Sequence, residues 1–257
     1  MTNANDHDVE NENEDEDENE DELDPDEDVR VNWSGNTLAL LFPPFPAPGA
    51  TDSPALAPHD PVRARRFVES LGTVEEILEQ LPDRTWDDVP EPEVRADLDL
   101  VAVGCWGNLL QIVDPALASD LIVLAMDEEI ARQRERHPQA RIVTSLTLDY
   151  GNTYYEDTVD LPSGESVKAG GWDCDESDGW QVYGDPEEVL RAIGVDRAAA
   201  ADAGFDLDEE VPQRIWSNLG DLALGGHERY DDSLPISVFR VRRTKRAAGD
   251  LEEVWME

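Results

Sequence analysis

The chain has 257 residues and carries 61 Asp and Glu against 20 Lys and Arg, a formal net charge of −41. Nucleic acids and anionic membranes are gripped by Lys and Arg that displace counterions, so both are disfavoured as partners. There is no apolar run long enough to span a bilayer, and the first residues show neither a basic stretch nor an apolar core, which predicts a soluble, cytoplasmic protein.

Residues 1–29 hold 16 acidic residues and no basic one, too polar to offset the entropy of ordering, so a disordered acidic tail is predicted over 1–28. The remaining residues carry 45 acids and 20 bases, still a net −25, and 18 of the bases are Arg; Lys168 and Lys245 are the two lysines. A dispersed acid excess poor in Lys resembles the composition of proteins from salt-in halophilic archaea. That resemblance implies an environment and no activity.

Residues 29–61 read as a β-hairpin turning at Ser34-Gly35-Asn36, then a connector from Phe42 to Pro61 with seven of the 17 prolines. From residue 62 an α+β domain is predicted. A helix opened by Asp60-Pro61 runs to Gly72, and a second is read from the Thr73/Glu76 capping box through Val74, Ile77, Leu78 and Leu81. Leu98–Val103, ended by Gly104, and Leu109–Val113 read as strands. Asp114-Pro115 opens a long helix reaching His137. An antiparallel β-meander follows: Ile142–Leu148, Tyr154–Leu161, a strand through Val167, and Trp180–Tyr183. Asp185-Pro186 starts a helix closed by Gly194; an Ala-rich helix ends near Gly204 and another spans Val211–Leu222. Ile236–Val241 is the last strand, merging into Arg240, Arg242, Arg243, Lys245 and Arg246. Helices segregated from a meander give α+β rather than a doubly wound sheet.

Motifs that carry a specific mechanism are absent: there is no G-x-G-x-x-G, P-loop, G-x-S-x-G, H-E-x-x-H or paired C-x-x-C. No cofactor is implied. The four histidines, at 7, 59, 137 and 227, are too scattered for a zinc motif. Cys174 lies between Asp173 and Asp175, whose charges disfavour the thiolate. Cys105, at a strand end, offers the better nucleophile, although a buried free thiol is the commoner state.

The stretch from Trp172 to Trp180 draws most attention as a ligand-binding site. Asp173, Asp175 and Ser177 have the spacing of early calcium-loop ligands, but Asp178 stands where Gly is needed and Gly184 where Glu is needed. Trp172 and Trp180 with Asp173, Asp175 and Asp178 between them could instead cage an organic cation, helped by nearby tyrosines. The plainer alternative, and the preferred one, is a cross-strand Trp pair at the base of a solvated loop. The cluster from Arg240 to Arg246 reads as a landing site for the acidic tail or as a guard on an edge strand.

The resulting expectation is a non-catalytic interaction or ligand-binding module with a protein partner. The alternatives are an enzyme such as a hydrolase using Cys105 or a carboxylate pair, and an acidic nucleic-acid mimic that binds a basic protein.

Overall fold

A computed structural model describes residues 24–29, 33–47, 56–89, 91–118, 125–149, 151–173, 180–208, 215–226 and 233–256. Most of the predicted tail, much of the Pro-rich connector, and Cys174, Asp175, Ser177 and Asp178 lie outside them.

The chain is α+β. Among the described residues ten strands form one antiparallel sheet: β1 (Trp33–Leu41), β2 (Val74–Gln80), β3 (Arg84–Thr85), β4 (Leu100–Trp106), β5 (Leu109–Val113), β6 (Arg141–Asp149), β7 (Thr153–Asp160), β8 (Ser166–Trp172), β9 (Gln181–Gly184) and β10 (Pro235–Arg243). The spatial order is β2-β10-β4-β5-β1-β6-β7-β8-β9, with the short β3 also on β10. Among the described residues six α-helices cover it: α1 (Pro61–Val68), α2 (Ala125–Arg136), α3 (Pro186–Ile193), α4 (Arg197–Asp202), α5 (Ile215–Ala223) and α6 (Lys245–Trp255). Strand alternation sends Leu38, Leu40, Val101, Val103, Leu110, Ile112 and Ile142 towards α1 and α2. Leu146 and Leu148 meet α6 on that face. The alternate residues, Ala39, Leu41, Ala102 and Val143 among them, pack under α3, α4 and α5. Among the described residues no helix is long and apolar enough to cross a membrane.

The meander from β6 to β9 forms as its alternation predicts, and α3 carries its Asp185 cap and a left-handed Gly194. Other expectations are corrected. There is no hairpin at Ser34-Gly35-Asn36: β1 runs straight through these residues and pairs with β5 on one side and β6 on the other, inside the sheet. The predicted second helix is strand β2. Its register on β10 slips twice, skipping Glu75 and Leu78, so Val74 and Ile77 face the same side although three residues apart. Two bulges therefore imitate helical spacing. Gly104 does not end its strand but leaves room for the Trp106 ring, which would lie 1.8 Å from a Cβ at that position. Asp114-Pro115 opens a single turn, Pro115–Leu117, ended by the extended Ala118, and the described part of α2 is Ala125–Arg136. Sequence periodicity also missed α6, whose Thr244 cap precedes Ala247, Leu251, Val254 and Trp255 on one buried stripe. Residues 24–29, assigned to tail and hairpin, dock on the body: Val29 N–H donates to Glu93 O, and Arg95 N–H to Glu27 O.

Candidate functional site

The turn after α1 brings three elements together. Asp60 caps α1 by accepting from Val62 and Arg63 N–H, the helix ends at Glu69, and the chain tightens through Ser70–Thr73 into β2. Thr244 N–H donates to Thr73 O at 3.1 Å, and the Thr244 hydroxyl to Gly72 O at 3.4 Å, so the start of α6 is tied to this turn. The α2 helix lies across from both. Between them is a half-open cavity of about 140 Å³, lined by Gly72 and Thr73, by Ala125, Glu128, Glu129 and Arg132 of α2, by Thr244, Arg246, Ala247 and Asp250 around α6, and by Ala116.

Glu129 is its most unusual group. Only 2% exposed, it accepts from Gly72 N–H at 3.1 Å and from the Gln133 amide at 2.5 Å. Arg132 Nε stands 3.4 Å away. Burial pushes the Glu129 carboxyl above the ordinary range, the Asp114 charge pushes the same way, and the hydrogen bonds from Gln133 and Gly72 with the Arg132 charge oppose it. The Arg132 side chain is 39% exposed and its guanidinium lies flat across Gly72. A Cβ there would stand 2.1 Å from Nη1, so the missing side chain is the space this cation occupies. Arg246 on the facing helix is held by Glu128 at 2.8 Å and Asp250 at 3.6 Å.

Beneath the cavity is a closed polar network. Asp114 is fully buried; its carboxylate accepts from Arg243 Nη1 at 2.7 Å, Thr73 Oγ1 at 2.6 Å and Ala116 N–H at 3.0 Å. Its own N–H donates to Asn36 Oδ1 at 3.1 Å. Arg243 also donates to the carbonyls of Leu98 and Leu100. Asn36, taken for a turn residue, is thus an anchor inside the sheet.

The residues singled out from sequence are distributed differently. Trp172 lies against Tyr154, with ring centres 5.3 Å apart, on the α2 face of the sheet; Trp180 stacks on Tyr155 at 6.5 Å and packs into the opposite core. The sheet separates the two indoles, so they form neither a cross-strand pair nor the two walls of one cage. Asp173 is exposed, with its N–H on Thr153 O, while Asp175 and Asp178 lie outside the described residues.

Cys105 is wholly buried, and burial pushes its thiol up to about 12, so it stays protonated near neutral pH. His59 is its neighbour but bonds the backbone: Nδ1 accepts from Cys105 N–H at 3.1 Å and Nε2 meets Ser237 Oγ at 2.9 Å. An Nδ1 that accepts a proton donor places the ring hydrogen on Nε2 in the neutral form. His59 therefore donates to Ser237 and has no lone pair with which to take its proton; burial lowers the ring's pKa and keeps it neutral.

The Arg240–Arg246 cluster is divided between surface and interior: Arg242, Lys245 and Arg246 are exposed, Arg242 paired with Glu76 and Arg246 with Glu128 and Asp250, while Arg243 is buried on Asp114 and the half-buried Arg240 reaches Ala96 O. Strand β10 does not guard an edge, since it lies between β2 and β4. Among the described residues no three His, Cys, Asp or Glu side chains converge as metal ligands do.

Sequence reading passed over Glu129 and Arg132. The available signal was the phase of α2: Met126, Glu129 and Gln133 fall on one helix face, so a carboxylate shares the buried stripe of an otherwise exposed acidic helix. A family model described as a family of unknown function, DUF6333, matches residues 19–257. No curated protein and no solved structure matches the chain.

Proposed function

The chain belongs to this family, whose function is unknown, and we propose from its geometry that it is a non-catalytic ligand-binding module holding a small organic molecule between α2, α6 and the Gly72 turn. The observation that carries this reading is the cavity of about 140 Å³ with a nearly inaccessible carboxyl, Glu129, in its wall. A pocket with a few convergent polar groups and a perturbed titratable residue is the general mark of a ligand site. Cavities near 150 Å³ admit benzene, so the ligand has about six non-hydrogen atoms. The protonated Cys105 and the proton-donating His59 favour binding over the hydrolase alternative. The acid excess, poor in Lys, supports a working place in a high-salt cytoplasm, where screening over about 3 Å at 1 M salt suppresses self-repulsion.

The test uses a set of four-carbon probes, butyrate, butyramide and butylammonium, with the protein labelled on its alanine methyl groups. At least one probe is expected to shift Ala116, Ala125 and Ala247 saturably while leaving Ala39 and Ala102, on the opposite side of the sheet, unmoved. If none of the three moves the cavity methyls, the reading is wrong.

A further inference from the structure

Resting on that reading of the cavity, we infer that its ligand is a short-chain organic carboxylate, with its head group on Arg132 and its carbon body against Ala116, Ala125 and Ala247. Most of the polar groups around the cavity already have partners. Arg246 is engaged by Glu128, at 2.8 Å and 2.9 Å, and stands 3.6 Å from Asp250. Thr73 donates to Asp114, and the Thr244 hydroxyl accepts from Ala247 N–H. Glu129 has Gln133, Gly72 and Arg132.

Arg132 is different. Glu129 engages its Nε, and among the described residues its two terminal nitrogens bond nothing. Those nitrogens carry four of the five guanidinium N–H donors, arranged as a planar fork that matches a carboxylate. They lie over Gly72 at the cavity, in the room left by its absent side chain. The unmet donor capacity of the site is on Arg132, and it calls for an acceptor. A cationic ligand would have to share Glu128 and Asp250 with Arg246. On a chain of net charge −41 an anion is repelled from most of the surface; in the cavity wall Arg132 and Arg246 stand among Glu128, Glu129 and Asp250, with Arg243 paired to Asp114 behind, so the attraction for an anion is local to the open end of Arg132. The three alanine methyl groups supply an apolar wall that a bare oxyanion would leave uncovered.

The experiment compares butyrate, butyramide and inorganic phosphate at constant ionic strength on the labelled full chain. Butyrate is expected to bind at least about tenfold more tightly than butyramide, the effect of one charge-assisted pair. Phosphate should bind more weakly than butyrate and leave the alanine methyls in place. Arg132→Ala and Gly72→Ala should each weaken butyrate about tenfold or more, the second because its methyl displaces the guanidinium from a backbone that an alanine adopts without strain. Unshifted Ala39 and Ala102 methyl resonances of both variants without ligand, on the opposite side of the sheet, establish that they are folded, and Arg132→Lys should retain part of the affinity. Equal binding of butyrate and butyramide, phosphate matching butyrate, or undiminished butyrate binding by Arg132→Ala would each overturn the carboxylate assignment while leaving the cavity as a site. Silence of the cavity methyls towards every four-carbon probe would instead remove the site itself.

Discussion

Two acid–arginine pairs stand a few residues apart around the Gly72 turn, and their surroundings divide their roles. Asp114 and Arg243 are both out of solvent, 2.7 Å apart, and the bonding capacity left over is taken up by Thr73, Ala116 and the carbonyls of Leu98 and Leu100. Glu129 is as deeply buried, but its arginine is 39% exposed, stands 3.4 Å away and keeps its terminal nitrogens unbonded among the described residues. A complete network holds elements together and has nothing left to offer a ligand. An incomplete one on a cavity wall contributes little to the fold and can recognise something.

The largest effect is expected at the complete pair. Asp114→Ala leaves the Arg243 guanidinium buried without its counter-charge and frees Thr73 Oγ1, which should cost about 3–5 kcal/mol of unfolding free energy, read by urea denaturation in high salt. A loss under about 1 kcal/mol would mean that water reaches Arg243 and that the contrast between the pairs is not one of burial.

Salt should act next, and on the whole surface rather than on this pair. Raising KCl from roughly 0.1 M to 1 M shortens the screening length from about 10 Å to about 3 Å, so the melting temperature of a body with a −25 excess should rise. The deficit of Asp114→Ala relative to wild type should persist at both salts, because a dry pair is poorly screened. An unchanged wild-type melting temperature would refute the reading of the acid excess as an adaptation to salt.

How much of this contrast was legible beforehand depended on whether local signals and tertiary pairing agreed. In β6 and β7 they agree: alternation was unbroken and each strand met its neighbour in sequence, so the meander could be read directly. Asp185-Pro186 likewise caps α3 with groups adjacent in the chain. In β1 they conflict, because Ser34-Gly35-Asn36 has turn chemistry, yet long partners on both sides hold it extended. In β2 two bulges give three-residue spacing to a strand. The site was hidden for a related reason. Its parts come from residues 72–73, 125–132 and 244–250, and Glu129 stands beside Glu128 in a chain rich in solvated acids; only folding makes one buried and the other exposed. The Trp172–Trp180 stretch, conspicuous in sequence, is divided by the sheet that it enters.

Acidity probes the incomplete pair directly. Glu129 has its folded-state pKa raised above the unfolded reference of 4.5, so the native state keeps a proton that the unfolded chain releases. The stability from this group is complete below that reference and is lost as pH rises through the higher native value. The charged groups around it are Arg132 and Glu128 on α2, Asp114 after β5, and Arg246 and Asp250 on α6; the Gly72-Thr73 turn brings none. Glu129→Gln removes the titration, so the difference in unfolding free energy between wild type and variant should move in favour of the variant as pH is raised from mildly acidic to neutral. A difference independent of pH would place the Glu129 pKa at its ordinary value.

The smallest effect on stability is expected at Arg132, and its smallness is what separates the two pairs. With over a third of its side chain in water and one contact at 3.4 Å, Arg132→Ala should cost no more than about 1 kcal/mol. It also leaves Glu129 without its nearby cation, which favours the protonated carboxyl and so partly offsets the loss. Gly72→Ala should behave alike, since the displaced group is the free end of a flexible chain rather than backbone. Should Arg132→Ala instead match the penalty of Asp114→Ala, the two arginines would be doing the same structural task, and the unbonded nitrogens over Gly72 would no longer argue for a ligand.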